Sequence, residues 1–129
     1  MLGFRGYIFS RKIESNFIPQ RVQNLVIKDY CERNNLFFKL SATEYKMQNS
    51  YLMFNTLIQE IKKIDGIVFY SLFMLPETKK DRLKIYKKIL FNKKQLHFSL
   101  EEIKLVNKTD IKKIEDIYQI KSNTKNCSL

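Results

Sequence analysis

Short apolar runs alternate along this chain with longer stretches in which apolar residues recur every three or four positions, the pattern of strands interleaved with amphipathic helices. Gly6 to Ser10 is aromatic and β-branched and predicts a buried first strand, followed by a loop from Arg11 to Phe17. Pro19 stands where a helix can begin without losing a needed N–H, and Val22, Leu25, Val26 and Tyr30 predict a helix over residues 20–34, closed by Asn34 and Asn35. Leu36 to Leu40 predicts the second strand, with the polar cluster Ser41 to Tyr45 as the loop after it. Ser50 is placed as N-cap of a second helix whose Phe54, Leu57, Ile58 and Ile61 form one stripe, ended by the Asp65-Gly66 turn. Ile67 to Ser71 is the clearest buried strand. Lys79 to Asn92 predicts a third helix, with Leu83, Tyr86, Ile89 and Leu90 on one side and lysines on the other. Gln95 to Leu100 predicts a fourth strand, and Ile103 to Val106 a short extended piece at the sheet edge. Thr109 is expected to cap a final helix carrying Ile111, Ile114, Ile117 and Tyr118, which frays into the tail Ser122 to Leu129.

The order β-α-β-α-β-α-β-(β)-α, with crossovers long enough to return each strand parallel to the last, predicts an α/β fold. The expected architecture is a doubly wound, three-layer α/β/α sandwich on a mostly parallel sheet of four to five strands. At 129 residues, with no internal repeat, linker or low-complexity segment, the chain is read as one domain with one core.

Composition adjusts this picture. An apolar fraction of 44%, with ten Phe and seven Tyr, supports independent folding. A net charge of +11 would ordinarily point to nucleic acid or an anionic membrane, but of 24 basic residues only Arg5, Arg11, Arg21, Arg33 and Arg82 carry the fork that grips phosphate. Abundant Lys, Asn and Ile also follow from an AT-rich genome, so a solvated lysine surface is placed ahead of nucleic-acid binding. Cys31 and Cys127 have no His nearby, which argues against a zinc site and a disulfide framework. No signal-peptide pattern opens the chain and no apolar run is long enough to span a bilayer, so a cytoplasmic protein is expected.

Ligands of parallel sheets bind beyond the carboxyl ends of the strands. Those ends carry Ser10 and Arg11, then Ser41, Thr43, Glu44 and Tyr45, then Tyr70 and Ser71, and finally Ser99 with Glu101 and Glu102. Together they could hold a polyhydroxylated or phosphorylated small molecule. Glu44 would be the general acid or base and Ser10 a second catalytic group, with Arg11 as anion anchor and Ser41, Thr43, Tyr45 and Ser71 as binding groups. The alternative is that Ser and Thr merely cap the following turns. His97, inside the fourth strand, is read as a hydrogen-bonded structural histidine. Gly3, Gly6 and Gly66 form neither GxGxxG nor a Walker loop, and no metal or nucleotide cofactor is expected. The basic segment that includes Lys79, Lys80, Arg82, Lys84, Lys87 and Lys88 lacks aromatics on the same face and is read as solvated helix surface.

Several segments resemble the bacterial sporadic carbohydrate cluster proteins: Gly6 to Arg11, Pro19 to Asn24, Asp29 to Cys31, Leu40 to Tyr45 and Asp65 to Leu72, with Leu40-Ser41-Ala42-Thr43-Glu44-Tyr45 the most specific. That resemblance, which spans about Gly6 to Tyr118, implies a part in lipopolysaccharide or capsule synthesis. More distantly, the layout is similar to the catalytic domain of serine recombinases, the resolvase and invertase family, which makes a resolvase-like or flavodoxin-like sandwich the expected fold. In that family an Arg and the nucleophilic Ser follow the first-strand Tyr at two and four positions. Here those places hold Phe9 and Arg11, and Ser10 stands one place early. The family's Asp-Arg pair and further Arg would fall near Phe73, Met74 and Glu77, so its phosphodiester chemistry does not carry over.

Three functions are therefore weighed. The first is an enzyme or binding subunit acting on a sugar or sugar phosphate. The second is a resolvase-like DNA-binding or regulatory module without recombinase activity. The third is a non-catalytic assembly partner docking through its fourth helix. An exposed edge strand also leaves room for a homo-oligomer.

Overall fold

The structure, a computed structural model, describes residues 2–127. β1 (Phe4–Phe9) starts two residues earlier than its apolar run suggests, and its first amide donates to the Phe37 carbonyl at 2.7 Å. α1 (Gln20–Arg33) ends as the two asparagines predict. Asn35 takes φ +56°, and the Leu36 amide reaches back to the Cys31 carbonyl at 2.8 Å, closing the helix with a left-handed residue.

β2 (Phe38–Glu44) departs from expectation, because Ser41 to Glu44 is strand and not loop. The physical reason is pairing. Gly6, Tyr7, Ile8 and Phe9 lie in parallel register with Ser41, Ala42, Thr43 and Glu44, and the backbone bonds of β1 hold the polar segment extended. Gly6 is required at this crossing, since a Cβ there would lie 2.2 Å from the Ser41 hydroxyl.

α2 (Leu52–Gln59) begins two residues after the predicted Ser50 cap, and Ile61 falls into a separate 3-10 turn, Ile61–Lys63. β3 (Gly66–Phe69), a 3-10 turn at Leu72–Met74, α3 (Lys79–Phe91), β4 (Gln95–Phe98) and β5 (Ile103–Leu105) follow. α4 (Thr109–Cys127) is capped by Asn107 and not by Thr109, for the Asn107 side-chain oxygen accepts from the Thr109 amide at 3.1 Å. The tail expected from Ser122 continues this helix as far as Cys127, and its last two residues lie outside those described.

The five strands run in the order β2-β1-β3-β4-β5, parallel except for β5, which pairs antiparallel with β4. With the right-handed crossovers that parallel strands adopt, this strand order assigns α1 to one face and α2 and α3 to the other. On the latter face α4 joins α3 through an Arg82–Glu115 ion pair. The core is aromatic: Tyr7 lies 5.3 Å from Phe54 and 5.0 Å from Phe69, and Phe69 lies 5.3 Å from Phe98. On the α1 face, His97 accepts from the Tyr30 hydroxyl at 2.7 Å through Nδ1 and meets the Gln95 side-chain oxygen at 2.8 Å through Nε2. Burial, with a smaller contribution from Lys104, pushes its pKa down to about 4, so the ring is neutral. Among the described residues no helix is long and apolar enough to cross a membrane.

Candidate functional site

Glu44, at the end of β2, is the most heavily engaged side chain near the strand ends. One carboxylate oxygen accepts from the Tyr7 hydroxyl at 2.8 Å and the Phe54 amide at 3.1 Å. The other accepts from the Tyr45 and Met53 amides at 3.1 Å each, and from the Ser50 hydroxyl at 3.4 Å. Met53 and Phe54 lie in the first turn of α2, so Glu44 satisfies orphan amides of that helix from outside it. Burial pushes the carboxyl upward, but hydrogen bonds from Met53, Tyr7, Phe54 and Tyr45 outweigh it and hold the group below the ordinary carboxylate range. A buried, ionised and fully partnered carboxylate is a helix cap. These five hydrogen bonds give Glu44 a structural role that its expected part as general acid or base did not include.

Ser10 donates its hydroxyl to the Glu44 carbonyl at 2.5 Å, tying the end of β1 to the end of β2. Arg11, next along, reaches the carbonyls of Tyr45 at 3.0 Å and Met47 at 3.2 Å through Nη1. Its guanidinium also sits 3.9 Å from the centroid of the Phe9 ring and 5.3 Å from that of Tyr51. Arg11 opens onto a cleft of about 580 Å³, lined further by Lys12, Lys46, Tyr51, Phe73 and Glu77. Loop geometry shapes the rim. Ile13 and Asn16 pair across a tight turn whose Glu14 and Ser15 take φ of +52° and +77°, and Asn49 on the opposite loop takes +62°. All three rim residues face the cleft.

The other expected residues sit elsewhere. Ser41 donates to the Asn24 side chain at 2.6 Å, and with Thr43 it lines a separate recess on the α1 side of the sheet, because alternate residues of β2 face opposite ways. Tyr45 contributes its backbone to Glu44 and Arg11, while its ring is exposed. Ser71 donates to Glu101 at 2.7 Å, and Glu101 also accepts from the Leu72 amide at 2.9 Å. Ser99 is spent on the carbonyls of Phe69 and Tyr70. The single crevice expected from the sequence is thus divided: Ser10, Arg11, Glu44 and Tyr45 converge, whereas Ser41 and Thr43 open onto the other face and Ser71 pairs with Glu101.

The architecture has solved counterparts. A resolvase family site-specific recombinase from Streptococcus pneumoniae matches with a TM-score of 0.67, over 95% of this chain and 91% of that one, at 13% identity. The N-terminal catalytic domain of TP901-1 integrase matches with a TM-score of 0.62, over 97% and 99%, at 18% identity. This chain has the resolvase fold. No family model and no curated protein matches it, so the resemblance to sporadic carbohydrate cluster proteins finds no support in these comparisons.

At these identities the resolvase fold is what carries over. The similarity of layout to the serine recombinase catalytic domain therefore corresponds to a shared three-dimensional frame, on which this chain hangs different side chains.

One feature of the frame runs against its sequence reading. Arg82, grouped with the lysines of α3 as solvated surface, is 1% exposed. Its fork meets Glu115 at 2.9 Å through both Nε and Nη2, Nη1 meets the carbonyls of Pro76 and Glu77, and the guanidinium lies 3.9 Å from the Tyr118 ring centroid. Tyr86 completes the cluster by donating to Glu115 at 2.7 Å. The spacing of Arg82, Tyr86 and Ile89 along one helical stripe was the available signal, masked by the surrounding lysines. Among the described residues no group of three or more His, Cys, Asp or Glu could hold a metal ion.

Proposed function

We propose that this chain is a resolvase-fold module that does not cleave DNA and instead binds a small phosphorylated ligand in the cleft beside β1. Arg11 carries the reading. It stands four positions after Tyr7, where the recombinase pattern has its nucleophilic serine, and it is braced at the cleft by two carbonyls and two aromatic rings. Ser10, one place before Arg11, already donates its hydroxyl to a backbone carbonyl, and Phe9 occupies the place of the pattern's first arginine.

A braced guanidinium with Lys12 and Lys46 in a cleft of about 580 Å³ suits a phosphorylated molecule of small-ligand size. Gln48 and Asn49 offer partners for hydroxyls, and Tyr51 and Phe73 offer apolar faces for a sugar ring. Glu14 and Glu77 on the same walls oppose the uniform negative charge of a DNA backbone. A sugar phosphate is the ligand class these groups fit. A place in bacterial surface-glycan synthesis is supported by the segment resemblance alone.

A second reading, a resolvase-like DNA-binding or regulatory module, draws more directly on the fold comparisons and on the lysines of α3. One titration followed by NMR separates the two. A hexose phosphate should shift the amides around Arg11 and Tyr51 while the parent hexose does so weakly, and Arg11→Ala should weaken binding by about tenfold or more, the loss of one charge-assisted contact. No shift at millimolar hexose phosphate, together with retardation of duplex DNA at low salt, would replace the first reading by the second.

A further inference from the structure

Outside the cleft, the surface feature with the most distinct chemistry lies between α3 and α4. Leu83, Leu90 and Phe91 from α3 and Ile111 from α4 form an apolar floor, and Phe91 is 86% exposed, the highest exposure of any large apolar side chain described. Lys84, Lys87 and Lys88 from α3 and Lys108 and Lys112 from α4 stand around that floor. The one carboxylate in the lining, Glu115, is turned inward and held by Arg82 and Tyr86, so it does not offset the lysines, of which Lys112 pairs along α4 with Asp116 at 3.4 Å.

We infer that this groove docks an acidic amphipathic helix of a partner protein, its apolar face on Leu83, Leu90 and Phe91 and its carboxylates on the lysine rim. Spacing supports a helical occupant, because Leu83 and Leu90 are two turns apart and Lys84, Lys88 and Phe91 follow the same side of α3. Charge selects the partner. A second copy of this chain would set one lysine rim against another, whereas an acidic segment gains from each contact. The apolar floor also distinguishes the groove from a nucleic-acid surface, which would present polar groups and cations between phosphate contacts.

The test uses the whole chain and a synthetic peptide that forms an amphipathic helix with a Leu-rich face and a Glu-rich face, followed by fluorescence anisotropy. A peptide of the same composition, scrambled to destroy the apolar face, serves as control. The amphipathic peptide should bind and the scrambled one should bind at least about tenfold more weakly. Lys84→Glu with Lys88→Glu should lower affinity by about tenfold or more, as should Phe91→Ser, with melting temperature unchanged because all three side chains are exposed. Equal binding of both peptides, or an unchanged affinity in either variant, overturns the inference. So does retention on phosphatidylserine vesicles or duplex DNA that needs Phe91 and these lysines while the peptide does not bind.

Discussion

Replacing Glu44 by Gln tests the division of the strand-end residues most directly. The carboxylate accepts from two donors on one oxygen and three on the other, including the amides of Tyr45, Met53 and Phe54. An amide side chain keeps one acceptor oxygen. Whichever way it turns, its NH₂ faces at least one backbone N–H that then has no partner. Leaving a buried donor unsatisfied costs about 1–3 kcal/mol, and exchanging charge-assisted for neutral bonds costs about 1 kcal/mol more. Glu44→Gln should therefore destabilise the fold by about 2–4 kcal/mol at pH 7, read as a fall in the urea midpoint with an unchanged slope. Tyr7→Phe removes a single donor and should cost about 1–2 kcal/mol, and the double variant should cost less than the sum. Because the folded pKa of Glu44 is depressed, its contribution is complete above the unfolded value of 4.5 and is lost as pH falls through the folded one, so the penalty of Glu44→Gln should shrink in acid. A variant within about 0.5 kcal/mol of wild type at pH 7 would refute the cap.

His97 predicts a second acid sensitivity at higher pH. Its pKa falls from 6.5 in the unfolded chain to about 4 in the folded one, so stability is complete above 6.5 and declines toward 4, by about 2 kcal/mol at pH 5. His97→Gln should flatten the urea midpoint between pH 7 and pH 5. Arg82→Met strands the buried Glu115 carboxylate and should cost about 3–5 kcal/mol, while Arg82→Met with Glu115→Met should recover most of it by thermal melts. Gly66→Ala should cost about 2–4 kcal/mol in the same assay, since its Cβ would meet the Gln95 carbonyl oxygen at 2.2 Å and neighbouring backbone has little room to yield. Lys93, at φ +58° after α3, is the converse: Lys93→Gly should stabilise the fold by about 0.5–1 kcal/mol, read as a higher melting midpoint, by relieving a left-handed residue.

Local rules made most of the frame legible. The stripe in Val22 to Tyr30, the Pro19 start and the Asn34-Asn35 end are sequence-local devices, and α1 follows them closely. The run Ile67 to Tyr70 is uniformly apolar because β3 lies in the middle of a parallel sheet covered on both faces. Where a partner from elsewhere in the chain supplies the stabilising group, sequence-local rules misread the element. Ser41 to Glu44 looks like a loop until β1 is laid beside it, and the first turn of α2 looks as if it needs Ser50 until Glu44 is brought up against it.

By itself, then, the sequence determined the class of fold, the order of its elements and the strand ends as the region that carries polar groups, since periodicity, caps and turns act over a few residues. Tertiary structure alone decided which of those groups share a surface. Register and pleat turn Ser41 and Thr43 toward α1, bury Glu44 as a cap, pair Ser71 with Glu101, take Arg82 into the core and leave Arg11 at the mouth of the cleft. Those outcomes depend on contacts between residues distant along the chain, which the spacing of residue types does not encode.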